Sequence, residues 1–183
     1  MNETLKNIEE RYSCRDFADT PVTEEQIKIL VNAALQAPSA KNRQPWHISV
    51  VTDRALIDEL DAEALRVFKE EDDPMYRGFV EANGKITYNA PLLFVISTDG
   101  IHWSDIDCGI CCQNIVLAAE SLGLQSCIIG LIRVPLGGEK GDEFKKRLNF
   151  PDGYKLSISV VVGTGNSGKV PHDMTPSKVT YIA

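Results

Sequence analysis

Arg11-Tyr12-Ser13-Cys14-Arg15-Asp16-Phe17 and Pro38-Ser39-Ala40-Lys41-Asn42-Arg43-Gln44-Pro45-Trp46 are the two stretches whose reading decides the fold of this chain. In the first, Arg11, Ser13 and Arg15 stand two apart, so an extended backbone turns all three side chains to one side. Two guanidinium forks flanking a hydroxyl suit a phosphomonoester, because arginine binds phosphate oxygens bidentately. Taken alone, the same R-x-S-x-R pattern is what a solvated surface run commonly contains. The second stretch reads as a rigid polar turn. Pro38 stops the preceding helix, and Pro45-Trp46 feeds the strand expected over His47 to Val51.

Working outward, 183 residues are enough for one compact domain over 1–183 with a single core. A hydrophobic fraction of 43% and a charged fraction of 25% are those of an ordinary globular chain. The net charge of −7 argues against general nucleic-acid affinity, so an anion site has to be a local basic focus. Residues 1–10 are polar and acidic with no apolar signal core, and no segment approaches membrane-spanning length. The expectation is a cytoplasmic protein with neither nucleic-acid nor membrane partners.

The five cysteines, Cys14, Cys108, Cys111, Cys112 and Cys127, are an odd number without a secretion signal, which points to free thiols. Cys108-Gly-Ile-Cys111-Cys112 has the look of a metal or redox motif but lacks a second ligand pair. The simpler reading is small buried residues on a core helix.

Leu5, Ile8 and Tyr12 fall at helical spacing and bring the chain to the first cassette. Thr23-Glu-Glu-Gln26 is a capping box opening a helix with the stripe Ile27, Leu30, Val31, Ala34 and Leu35. A further helix is expected through Leu56, Ile57, Leu60, Ala64 and Phe68. Glu70 to Gly84, acidic and broken by Pro74, Gly78 and Gly84, reads as a loop or lid. Leu92 to Ser97 is a buried strand. Asp105 to Leu122 is a helix apolar on more than one side, closed by Gly123 and suited to burial in a core and in a subunit interface. Ser126 to Leu131 (ending at Gly130) and Leu156 to Val162 are strands, with a short helix from Glu143 to Leu148 before the latter. The end, Val179-Thr-Tyr-Ile182, is apolar and β-prone and has to be buried somewhere, often on a neighbouring chain.

Together the motifs resemble the nitroreductase family of FMN-dependent homodimeric oxidoreductases. Arg11 to Phe17 is similar to that family's R-x-S-x-[KR]-x-[FY] opening, and Pro38 to Trp46 to its P-S-[SA]-x-N-x-Q-P-W turn, with the capped helix between. Asn114 to Gly123, Cys127-Ile-Ile-Gly130 and Leu156 to Gly163 extend the resemblance over nearly the whole chain. It implies an α+β fold, a mixed β-sheet flanked by helices, with FMN at the homodimer interface.

Under that resemblance Arg11 and Ser13, with Tyr12 between them, meet the FMN phosphate, and Arg15 faces the N1 and O2 edge of the flavin. Arg15 as a second phosphate ligand stays open. Pro38, Ser39 and Ala40 pack on the flavin from the partner subunit, and Asn42 bonds the ribityl chain; an ordinary helix-stop turn is the alternative. Gln44, Pro45 and Trp46 are scaffold. Ile129 and Gly130 offer backbone amides near N5 and O4, or the glycine simply ends a strand. Lys169 is the candidate basic residue for the phosphate near the C-terminus, with His172 second. The residues holding the pyrimidine edge are not identifiable in the acidic stretch Lys69 to Arg77.

No Ser-His-Asp, metal-spaced histidine or P-loop pattern is present, and no side chain is assigned as catalytic. The resemblance implies that NADH or NADPH reduces FMN and that a nitroaromatic, quinone or similar small molecule then takes the electrons in a ping-pong cycle. Glu70 to Gly84 and His102-Trp103 are candidate walls for that acceptor. A different acceptor (free flavin, an enone or a halogenated aromatic), or flavin binding without turnover, are the alternatives.

Overall fold

The computed structural model describes residues 2–71, 73–82, 84–170 and 174–182. Its elements run α1 (Glu3–Glu10), α2 (Glu24–Leu35), β1 (Trp46–Val51), α3 (Arg54–Glu71), α4 (Arg77–Glu81), β2 (Leu92–Thr98), α5 (Ser104–Ser121), β3 (Gln125–Ile129), α6 (Arg133–Gly137), α7 (Gly141–Arg147) and β4 (Lys155–Gly163). The four strands form one sheet in the order β1-β2-β4-β3. All three ladders are antiparallel. The parallel component of the expected mixed sheet is confined to an isolated bridge between Ser13 and Ser126.

The central strand β2 is buried along its whole length because both sheet faces are covered. Alternation along the strand sends Leu92, Phe94 and Ile96 to one face, where they meet Leu30 and Ala34 of α2 and Cys108, Cys111, Cys112 and Ile115 of α5. Leu93 and Val95 go to the other face, against Ile57, Leu60, Ala64 and Phe68 of α3 with Leu136 and Phe144 beyond. Helix α2 begins as the sequence predicts. Thr23 accepts from the Gln26 amide, and the Gln26 side chain accepts from the Thr23 amide.

One expectation is revised by the packing. Glu70 to Gly84 is not a loop over most of its length: α3 continues to Glu71, and a 3-10 turn (Pro74–Tyr76) leads into α4. The cause is aromatic. Tyr76 stacks on Phe68 with ring centroids 4.1 Å apart, and Phe79 lies 5.6 Å from the same ring. Helix α6 has no periodic signature, since Pro135 and Gly137 fall within its five residues.

Several apolar groups stay outside this core. On α1, which buries no residue at all, Leu5 and Ile8 are about half exposed, at 52% and 50%. On α5, Ile106 and Ile110 face outward, as does Trp103 at its N-terminal cap. The tail residues Tyr181 and Ile182 are 93% and 94% exposed.

Candidate functional site

The first cassette lies across the ends of β3 and β4. The amide of Cys14 donates to the Ser126 carbonyl at 3.0 Å, and that of Ala18 donates to the Thr164 carbonyl at 2.8 Å. Cys14 and Phe17 point into the core, which leaves Ser13 and Arg15 on the outer side. Ser13, Cys14 and Arg15 alternate as an extended segment requires, and the alternation breaks at the exposed Asp16, which lets Phe17 turn inward as well. Close packing beneath requires small residues: a Cβ at Gly165 would lie 2.8 Å from the Cys14 sulfur, and one at Gly163 would lie 2.6 Å from Pro91 Cδ.

On the exposed side, Arg11, Tyr12, Ser13 and Arg15 line a cleft of about 580 Å³ whose opposite wall includes Gly168 and Lys169. The return of the chain after β4 builds that wall. Tyr12 donates its hydroxyl to the Ser167 carbonyl, Lys169 donates to the Glu9 carbonyl, and Asn166 Nδ2 meets Asp16 Oδ1 at 3.1 Å. Among the described residues Arg11, Arg15 and Lys169 take part in no ion pair. The cleft therefore gathers three cations in a chain of net charge −7, with Glu120 the nearby carboxylate that feels Arg11 and Lys169. His172 lies outside the described residues.

Arg15 also lines a second cavity, of about 470 Å³, with Asp16, Met75, Phe79, Lys85, Tyr88 and Asn89 among its walls. Part of Glu70 to Gly84 thus faces the same arginine as the phosphate-type cleft. Lys85, Tyr88 and Asn89 are site candidates that sequence reasoning missed. Their segment is a tight turn with positive φ at Tyr88 (55°) and Asn89 (63°), and a tyrosine in that conformation gives no recognisable motif. The only available cue was the asparagine, which favours left-handed turns.

Ile129 is buried at the end of β3, and Ser159 Oγ donates to its carbonyl at 2.6 Å. Gly130 follows in the open: a Cβ built there would meet nothing within 4 Å. Neither residue lines the two cavities.

The second cassette sits elsewhere. Ala40 donates its amide to both carboxylate oxygens of Asp107 on α5 at 3.2 Å. Ser39 Oγ accepts from the Gln44 amide at 2.9 Å, and Gln44 Nε2 donates to Asn42 Oδ1 at 3.1 Å. Lys41, Asn42 and Gln44 all have positive φ, a strained turn held by those bonds and by the burial of Pro45 and Trp46. Pro38, Ala40 and Asn42 are exposed and Ser39 half-buried. Among the described residues no hydrogen bond or cavity joins them to Arg11, Ser13 or Arg15. Trp103, at the start of α5, lies at this end of the molecule, away from the cavity walled by Met75 and Phe79.

The cysteines behave as core residues. All five are buried, and burial pushes Cys111 and Cys112 up to about 12, so their thiols stay protonated. Cys127 lies beneath the cassette; burial raises its pKa, partly opposed by Arg15 and by a hydrogen bond with Ser13.

The sequence profile of the nitroreductase family matches residues 8–164. The chain belongs to the nitroreductase family. Among solved structures, a nitroreductase from Desulfitobacterium hafniense DCB-2, crystallised with bound FMN, superposes with a TM-score of 0.95 at 41% identity, covering 100% of both chains. A putative NADH dehydrogenase/NAD(P)H nitroreductase of Archaeoglobus fulgidus is 33% identical over 138 residues, 72% of this chain and 69% of that protein. An FMN reductase (NADPH) of Bacillus subtilis is 31% identical over 191 residues, 99% of this chain and 73% of that protein. Nitroreductase membership agrees with the α+β architecture. Among the described residues no helix of this nitroreductase-family chain is long and apolar enough to cross a membrane.

Proposed function

We propose that residues 1–183 act as one FMN-binding unit of a homodimeric oxidoreductase that uses NADH or NADPH to reduce a nitroaromatic, a quinone or a similar small acceptor. The observation that carries this reading is the pair of adjoining cavities sharing Arg15. The first joins Arg11, Ser13 and Lys169, three groups whose donors suit a phosphate dianion. The second places Arg15 beside a half-buried tyrosine and apolar side chains, a setting that suits one edge of a flat heteroaromatic ring. The open space before Gly130 leaves room for a ring face close to the main chain.

When bound, FMN supplies a two-electron relay that accepts hydride from a nicotinamide and passes electrons to the acceptor. The residues of this chain bind and orient. Arg11, Tyr12, Ser13 and Lys169 fix the phosphate end, and Arg15 puts positive charge where the reduced ring gains electron density. The backbone at Ile129 and Gly130 offers donors to the reacting edge. A site that receives NAD(P)H and acceptor in turn has to be open, and the cavity walled by Met75, Gly78 and Phe79 has about 470 Å³ for that.

Pro38, Ser39, Ala40 and Asn42 complete the site from the second subunit in this reading. The outward apolar groups of α1, α5 and the tail supply the contact surface. A second reading, in which free flavin is the acceptor, is favoured by the FMN reductase that matches over 99% of the chain.

The test is an absorbance spectrum of the purified protein after reconstitution with FMN, then anaerobic titration with NADH and with NADPH. Bleaching of the bound flavin followed by reoxidation with a nitroaromatic or a quinone is expected. Absence of flavin binding after reconstitution would overturn the assignment. Unchanged FMN retention in the Arg11→Ala, Arg15→Ala double variant would refute the phosphate role of this cleft.

A further inference from the structure

The turn from Lys85 to Ala90 is fastened to α3 more heavily than a surface connection requires. Asp61, a buried carboxylate, accepts from the Thr87 amide at 3.0 Å and from Thr87 Oγ1 at 2.6 Å. One turn of helix earlier, Asp58 accepts from Lys85 Nζ at 2.7 Å and from Arg54 Nη2 at 2.8 Å. Arg54 also reaches over to the Asn89 carbonyl at 3.1 Å. Between these fixed points Tyr88 and Asn89 are both left-handed, a costly conformation for a tyrosine that persists only where its surroundings dictate it.

The result is a fixed direction for one side chain. The Tyr88 ring packs against the core and lies 6.4 Å from the Phe79 ring. Its polar end shares the cavity with Arg15, which has no ion-pair partner among the described residues. Packing on Phe79 needs only the ring; phenylalanine would serve as well. The hydroxyl needs another reason, and the neighbouring polar group is the guanidinium.

We propose that Tyr88 is a positioning residue: held by the Asp61 and Arg54 clamp, its phenol oxygen accepts from Arg15 and aims that guanidinium at the electron-gaining edge of the bound ring. This rests on the FMN reading above. Burial, chiefly, raises the Tyr88 pKa, with Arg15 opposing, so the phenol stays neutral at physiological pH and orients Arg15 without cancelling its charge.

The experiment compares wild type, Tyr88→Phe, Arg15→Gln and the double variant by FMN titration of the apoprotein and by the midpoint potential of the bound flavin. Tyr88→Phe should bind FMN within about threefold of wild type, a change of less than one decade. Its preference for the reduced cofactor should fall roughly tenfold, which for a two-electron couple is about 30 mV toward more negative potential. Arg15→Gln should fall further, and adding Tyr88→Phe to it should change nothing more.

An unchanged potential in Tyr88→Phe, or an equal fall in the Arg15→Gln background, would overturn the proposal while leaving the FMN reading intact. Loss of FMN binding in Tyr88→Phe would make the residue a wall of the cavity and overturn it too. Failure of the wild type to bind FMN would remove both readings together.

Discussion

At the scale of single residues, the cleft lined by Arg11, Ser13 and Arg15 depends on what lies beneath it. Gly163 and Gly165 let the extended cassette lie directly on the sheet ends, and a side chain at either would collide with Pro91 or with the Cys14 sulfur. Gly163→Ala is expected to cost about 1–3 kcal/mol, the usual penalty for overpacking, measured as a shift in the urea midpoint with unchanged slope. A variant as stable as wild type would mean that the cassette shifts without cost. The cysteines give a second residue-scale expectation. Burial and raised pKa keep Cys111 and Cys112 protonated, so a thiol reagent at neutral pH should leave the native chain unmodified and should titrate all five cysteines in denaturant. Rapid labelling of the native protein would contradict this packing.

At the scale of elements, periodicity carried most of the information. The stripe through Ile27, Leu30 and Ala34, the buried run of β2 and the Gly123 stop of α5 were legible because each obeys a simple repeat or cap rule. What escaped had tertiary causes. The segment over Glu70 to Gly84 coils into short helices because Tyr76 and Phe79 find Phe68, a contact no local pattern announces. The turn carrying Lys85, Tyr88 and Asn89 takes its shape from carboxylates more than twenty residues earlier, so the cavity wall opposite Arg15 was invisible. Arg11, Ser13 and Arg15 were readable because an extended segment puts alternate side chains together.

The clamp on that turn has a pH signature. Hydrogen bonds from Arg54 and then Lys85 hold Asp58 below the usual carboxylate range, so its contribution is present at neutral pH and lost as pH falls through its lowered value. Burial raises the Asp61 pKa from its ordinary value despite two bonds from Thr87. The native state therefore binds more protons there than the unfolded chain, and stability declines as pH rises through that interval. Asp61→Asn should accordingly gain stability relative to wild type in urea unfolding as pH rises from the ordinary aspartate value through the raised one. A relative loss over the same interval would show that the Asp61 charge stabilises the fold.

At the scale of the whole molecule, exposed apolar groups lie on α1, on α2 (Ile29 and Leu35), on one side of α5 and along the tail, with Val50 on β1 and Ile128 on β3, while both sheet faces are covered. Residues 174–182 contribute no core side chain, so a chain ending at 173 should keep its unfolding midpoint. In the proposed homodimer the same truncation should weaken self-association roughly tenfold or more and lower FMN retention with it, read by sedimentation velocity and flavin absorbance. Tight dimers after truncation would assign the tail another role.

The separation of the two cassettes within one chain has a genetic consequence. In the proposed shared site, Arg11→Ala with Arg15→Ala removes one half and Asn42→Ala removes the other. In a mixed dimer of these two chains, one site collects both defects and the second collects none. Two preparations that each fail to hold FMN should therefore recover flavin binding after unfolding and refolding together, and only through the mixed species. If each chain built its whole site alone, co-refolding would restore nothing.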